Sequence, residues 1–76
     1  MSKLPVIAVK EFEKILLGMG FEIKRQKGSH VFYRHPDGRY TTLPMHGNQT
    51  LARPLIRQIL REIEITPEEY IRLLNK

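Results

Sequence analysis

Val9, Phe12, Ile15, Leu16 and Met19 recur at spacings of three and four, the period of one face of an α-helix, and predict a first helix over residues 6–19. Lys10, Glu11, Glu13 and Lys14 fill the rest of its surface, where Lys10 with Glu13 and Glu11 with Lys14 set opposite charges at i, i+3. Gly20 then suits a left-handed C-cap that reverses the chain. The period changes to two. Phe21, Ile23 and Arg25 alternate with Glu22, Lys24 and Gln26, which predicts a short strand over residues 21–26 with one face inward. Lys27-Gly28-Ser29 is the turn into a second strand over 30–35, in which Val31, Tyr33 and His35 alternate with His30, Phe32 and Arg34. Both sets contain an aromatic, so apolarity selects neither as the buried one.

Pro36-Asp37-Gly38 turns the chain into a third strand over 39–44, ended by Pro44, which has no N–H to give a sheet ladder. Turns this short make an antiparallel meander. Residues 45–49 read as a loop. A second helix begins near Pro54, whose fixed φ suits the first helical position, and Leu55, Ile56, Ile59, Leu60 and Ile63 form its buried stripe. Thr66-Pro67-Glu68-Glu69 is a capping box that opens a short last helix carrying Tyr70, Ile71 and Leu74. The predicted class is α+β, an antiparallel three-stranded sheet with helices packed on one face. No linker, internal repeat or low-complexity tract interrupts residues 1–76, which are expected to form a single domain.

Composition narrows the chemistry. A chain of 76 residues buries only about 60% of its unfolded surface, so its core is small. With 41% hydrophobic and 28% charged residues it is far from the composition of a disordered tail. The absence of cysteine excludes disulfides, thiolate metal sites and cysteine nucleophiles. No apolar run suits a signal peptide or a membrane helix, so the expected location is the cytoplasm, with no membrane partner. The net charge of +5 is unevenly placed: residues 21–61 carry +6, residues 1–20 carry +1 and residues 62–76 carry −2. A basic middle can hold a polyanion or can simply be a solvated face, and the first reading is preferred.

Within that middle, Lys27-Gly28-Ser29-His30 places a histidine at a strand entrance among cations. A histidine moves protons near neutral pH, although a lone one is more often structural. In RNA cleavage a positioned imidazole can deprotonate the attacking 2′-hydroxyl or protonate the departing 5′ oxygen. Neighbouring Lys or Arg offsets the charge that builds on the phosphate. The meander brings His46, just past the third strand, toward the start of the second, so His30 and His46 are expected to be neighbours. His46 read as an ordinary loop histidine is an equal alternative. His35, beside the Pro-Asp-Gly turn, reads as structural. His30 and His35, five apart on one strand, point to opposite faces, and no metal site is expected. No Walker loop, GxSxG elbow or dinucleotide fingerprint is present, so no cofactor is expected. Arg53, Arg57 and Arg61 line one side of the second helix at i, i+4 and i+8. With Lys24, Arg25, Lys27 and Ser29 they are the candidate phosphate contacts, of the salt-sensitive kind that reads no sequence.

Four segments together, Gly18-Met19-Gly20-Phe21, Arg25-Gln26-Lys27-Gly28-Ser29-His30, Pro36-Asp37-Gly38-Arg39 and Leu43-Pro44-Met45-His46-Gly47-Asn48, closely resemble HicA-type toxins, the YcfA-like family. The resemblance spans residues 6–74. It implies a small mRNA interferase with a double-stranded-RNA-binding-domain-like (dsRBD-like) α-β-β-β-α fold. It also implies metal-independent ribonuclease activity and inhibition by a HicB-type antitoxin that covers the active region. Carried over by residue, it makes His30 the catalytic histidine and His46 an auxiliary one. Two departures stand out. Where many members read Arg-Gly-Thr-Leu-Arg, this chain has Arg53-Pro54-Leu55-Ile56-Arg57, which stiffens the start of the helix and removes a hydroxyl. Residues 66–76 fall in a variable region of the family. Beside the RNA-cleaving reading stand a non-catalytic RNA-binding module of the same fold and a protein-interaction domain whose basic face receives an acidic partner.

Overall fold

The computed structural model describes residues 4–47 and 49–75. Its elements are α1 (Val9–Gly18), β1 (Glu22–Lys27), β2 (His30–Arg34), β3 (Tyr40–Pro44), α2 (Arg53–Glu62) and α3 (Pro67–Leu74). The strands form one antiparallel sheet in the order β1-β2-β3. This is the α+β architecture expected, in the dsRBD-like order, followed by the short helix. Of the loop expected over 45–49, Asn48 lies outside the described residues, as does Lys76 at the end of the last expected helix.

Burial decides which sheet face meets the helices. Val31 and Tyr33 of β2 and Thr41 and Leu43 of β3 are at most 4% exposed. The apolar three pack in one core with Phe12 and Leu16 of α1 and Ile56, Ile59 and Leu60 of α2. Two polar groups on this face are answered by helix carboxylates: the Tyr33 hydroxyl donates to Glu13 Oε2 at 2.6 Å, and Thr41 Oγ1 donates to Glu62 Oε1 at 2.6 Å. Burial, reinforced by the Glu13 carboxylate, pushes the Tyr33 phenol far above its ordinary range. His30, Phe32 and Arg34 with Tyr40, Thr42 and Pro44 therefore occupy the opposite face, which the helices leave open.

Two expectations are corrected. The first helix begins at Val9 rather than at residue 6, because the backbone before it is engaged elsewhere. Ala8 is extended and bridges Thr50, the Val9 N–H donates to Gln49 O at 2.9 Å, and the Leu51 N–H donates to Ile7 O at 2.9 Å. The apolar period simply ran on past the true boundary. In addition, β1 has no inward face: all six of its residues are exposed, with Ile23 at 52%. The cause is its place in the sheet. Helices α1 and α2 pack toward β3, at the far edge, and the inward anchor is Phe21, just outside the strand and 2% exposed.

Both α1 and α2 end in the same hydrogen-bond pattern. After α1 the Phe21 N–H donates to Leu16 O and the Gly20 N–H to Leu17 O. After α2 the Ile65 N–H donates to Leu60 O and the Glu64 N–H to Arg61 O. These are Schellman caps, with Gly20 (φ 101°) and Glu64 (φ 59°) at the left-handed position. The expected capping box of α3 is present: the Glu69 N–H donates to Thr66 Oγ1 at 3.1 Å, and the Thr66 N–H donates to Glu69 Oε1 at 2.9 Å.

Candidate functional site

The site grows from the β1–β2 hairpin. Lys27 pairs with His30 across a two-residue turn, Gly28-Ser29. The first turn position has φ 59°, a conformation that glycine adopts without cost. At the adjacent end of β3, His30 pairs with Pro44, and the Met45 N–H donates to Ser29 O at 2.6 Å. That bond extends the pairing one residue past the strand and swings His46 over the hairpin turn. The His46 ring and the Ser29 hydroxyl share a hydrogen bond of 3.2 Å, Oγ to Nε2, whose direction follows the imidazole tautomer. Ser29, the residue before His30, is thus linked to the second histidine. Both histidines are exposed.

Cross-strand partners share a face, so Lys27 stands beside His30 and Arg25 beside Phe32 on the open side of the sheet. The Arg25 guanidinium lies over the Phe32 ring, 5.5 Å from its centroid. Lys24 sits at the irregularity between Ile23 and Arg25 and pairs with Glu22 at 3.1 Å. An exposed imidazole among these cations is equipped to exchange a proton with a hydroxyl or alkoxide at a phosphate.

Not every candidate converges here. Arg53, Arg57 and Arg61 are exposed on α2, whose Ile56, Ile59 and Leu60 face the core. They belong to the helical layer, across the sheet from His30. Arg53 Nε donates to Leu4 O at 2.8 Å, and Arg57 and Arg61 border a shallow depression with Leu4, Ile65 and Pro67. Ala52 is the N-cap of α2, with Pro54 in the first turn and no side-chain cap.

His35 has a structural place, as its position beside the turn suggested. Its Nε2 donates to Met19 O at 3.1 Å, its ring meets Phe21 edge-on at 5.2 Å, and its Nδ1 lies 3.0 Å from Asp37 Oδ1. Arg39 completes this cluster, with Nε donating to Asp37 Oδ2 at 2.8 Å and Nη1 donating to Ile63 O at 2.6 Å. The Arg39 amide, and then its guanidinium, hold the Asp37 carboxyl below its ordinary range. Sequence reasoning passed over Phe32, Arg34 and Tyr40. Alternation put Phe32 and Arg34 with His30, but only the packing of the helices shows that this set, with Tyr40, faces solvent. Among the described residues, no group of three or more His, Asp or Glu is placed to hold a metal ion, and no helix is long and apolar enough to cross a membrane.

No curated protein matches the chain. Residues 9–65, from the start of α1 to just beyond α2, match the family described as the HicA toxin of bacterial toxin-antitoxin. That stretch contains the hairpin, both exposed histidines and the whole sheet, and the chain belongs to the HicA toxin family.

Proposed function

We propose that this toxin is an endoribonuclease that cleaves mRNA in the cytoplasm without a metal, with His30 as general acid/base. The observation that carries the reading is the Ser29–His46 bond, which ties a second imidazole to the hairpin turn that presents His30. The 2′-hydroxyl attacks the adjacent phosphorus and the bond to the 5′ oxygen breaks. His30 takes the proton of the first or supplies the proton of the second, and His46 assists through Ser29. Lys24, Arg25 and Lys27 with Ser29 hold the phosphate and offset its growing charge. Arg53, Arg57 and Arg61 serve as outlying phosphate contacts on the helical layer.

As a member of the family, the chain is the toxin of a toxin–antitoxin pair, and its antitoxin is assigned to the HicB type, covering the His30 end of the sheet. The test compares the parent with His30→Ala on a synthetic RNA and on growth of a bacterial host. Loss of a general acid/base lowers the cleavage rate by roughly 10²–10⁴-fold. A folded His30→Ala chain that cleaves and arrests growth like the parent would remove His30 from the mechanism. Binding without cleavage by the parent would leave the non-catalytic RNA-binding reading in its place.

A further inference from the structure

The sheet face that carries His30 is unlike an ordinary solvated surface. Tyr40 is 68% exposed. Phe32 lies half-buried at the centre of the middle strand, beneath the Arg25 guanidinium. Arg34 pairs across the ladder with Tyr40. Lys24, Phe32, Arg34, Gly38 and Tyr40 border a shallow open depression on this side. The single acid of the three strands, Glu22, is already paired with Lys24. Aromatic rings lie here among cations, of which Arg25, Lys27 and Arg34 form no ion pair with an acid among the described residues.

We propose that this face is a stacking platform for unpaired bases, and that the RNA is delivered to His30 as a single strand. The inference rests on the nuclease reading above and specifies its substrate. Phe32, with the Arg25 plane against it, and Tyr40 receive bases, while Lys27 and Arg34 meet the phosphates between them. Stacking on aromatic and guanidinium planes is the usual way a protein grips single strands without reading sequence. A duplex keeps its base faces inside its own stack and is held through phosphates and 2′-hydroxyls, which would leave both rings idle.

Spacing supports the same substrate. Tyr40 is two residues from Thr42, the direct partner of Phe32, so Phe32 and Tyr40 are diagonal neighbours roughly 7–8 Å apart. That spacing of the two residues is about twice the ~3.4 Å separation of stacked base pairs, so the two positions suit bases splayed from one another. His30 lies two residues along β2 from Phe32, about 7 Å at strand rise. The gripped bases therefore fall within a few nucleotides of the bond to be cut.

The experiment uses the full chain carrying His30→Ala, with a fluorescein-labelled RNA of about 12 nucleotides, alone or annealed to its complement, and reads anisotropy at several salt concentrations. The single strand is expected to bind more tightly than the duplex. Phe32→Ala and Tyr40→Ala are each expected to weaken single-strand binding by about 5- to 100-fold with the salt slope unchanged. Phe32→Tyr and Tyr40→Phe are expected to retain it, and Arg34→Gln is expected to reduce the slope by about one. Thermal unfolding of each variant separates loss of contact from loss of fold, and Phe32→Leu keeps the apolar volume while removing the ring. Equal or tighter binding of the duplex, or alanine variants that bind like their parent, overturns the platform. Steady-state cleavage in the His30 background keeps the two readings apart. Unchanged KM in Phe32→Ala and Tyr40→Ala overturns the platform and leaves the nuclease standing. RNA that is stacked but never cut overturns the nuclease and leaves the platform.

Discussion

Among the described residues, Glu64 is the one non-glycine with a positive φ. It occupies the left-handed position of the α2 cap with φ 59°, where an L-residue with a Cβ costs roughly 1–2 kcal/mol relative to its right-handed form. The matching position after α1 is Gly20. Replacing Glu64→Gly is expected to stabilise the chain by about 0.5–1 kcal/mol, after the entropy glycine returns to the unfolded state. Thermal or urea unfolding reads the gain directly, and an unchanged or lowered midpoint would contradict it. Gly20→Ala is expected to go the other way, since φ is 101° and the added Cβ would sit 3.1 Å from His35 Nε2. The two caps also mark what a sequence makes legible. A glycine after an apolar stripe announces the first helix end, whereas Glu64 announces nothing, because its strain is tolerated for the two hydrogen bonds and the Ile65 contact that follow. The capping box of α3 was readable because both of its partners are encoded three residues apart.

Among the elements, the ends of α1 and α2 are fastened together by the β2–β3 turn. His35 reaches Met19 O at the end of α1, and Arg39 reaches Ile63 O at the end of α2, with its guanidinium 5.3 Å from the Phe21 centroid. A cation at a helix C-terminus satisfies a carbonyl that has no intrahelical partner and complements the dipole. Arg39→Ala is expected to cost about 1.5–3 kcal/mol, with Arg39→Lys recovering only part, since one ammonium cannot reproduce the fork that holds Asp37 and Ile63 together. A chemical-denaturation series on the two variants checks the order. None of this was visible in Pro36-Asp37-Gly38-Arg39 beyond a turn, because the partners lie on distant helices. The same limit explains β1: alternation describes two faces of a strand, but it does not say whether any helix reaches the edge that the strand occupies. Alternation did put Val31 with Tyr33 and His30 with Phe32, and the hairpin turn between Lys27 and His30 was legible in Lys27-Gly28-Ser29-His30. Its link to His46 runs through Ser29, a contact that depends on one backbone bond beyond β3.

For the molecule as a whole, stability should fall on both sides of neutrality. Backbone and side-chain hydrogen bonds from Thr66 hold the Glu69 carboxyl below its ordinary 4.5, and those from Arg39 hold Asp37 below its ordinary 3.8. Each binds its proton less readily folded than unfolded. Its contribution is therefore present above the ordinary value and is lost as pH falls through the lower folded value. The tyrosines act in the opposite sense. Burial pushes Tyr70 from 10.0 up to about 12, and raises Tyr33 further. Their contribution is complete below pH 10 and is lost as pH rises toward the folded values. The melting temperature is expected to be level between roughly pH 5 and 9 and to decline on either flank. Glu69→Gln should flatten the acid limb while leaving the alkaline one in place, and an acid limb as steep as the parent's would remove Glu69 from the account.

The open edge of β1 has a consequence for how the chain coexists with its own copies. A free strand edge invites another strand, and proteins commonly block it with charge or with a kink. Here Lys24, Arg25 and Lys27 supply the charge, and the irregularity between Ile23 and Arg25 supplies the kink. Salt shortens the reach of such charges to about 3 Å near 1 M, so concentrated salt leaves the kink as the main guard. Neutral apolar substitutions at these lysines and this arginine, an obvious way to weaken polyanion binding, would thus also create an edge suited to recruit a second molecule. Acidic replacements keep copies apart while abolishing the attraction, and are the cleaner way to silence the surface.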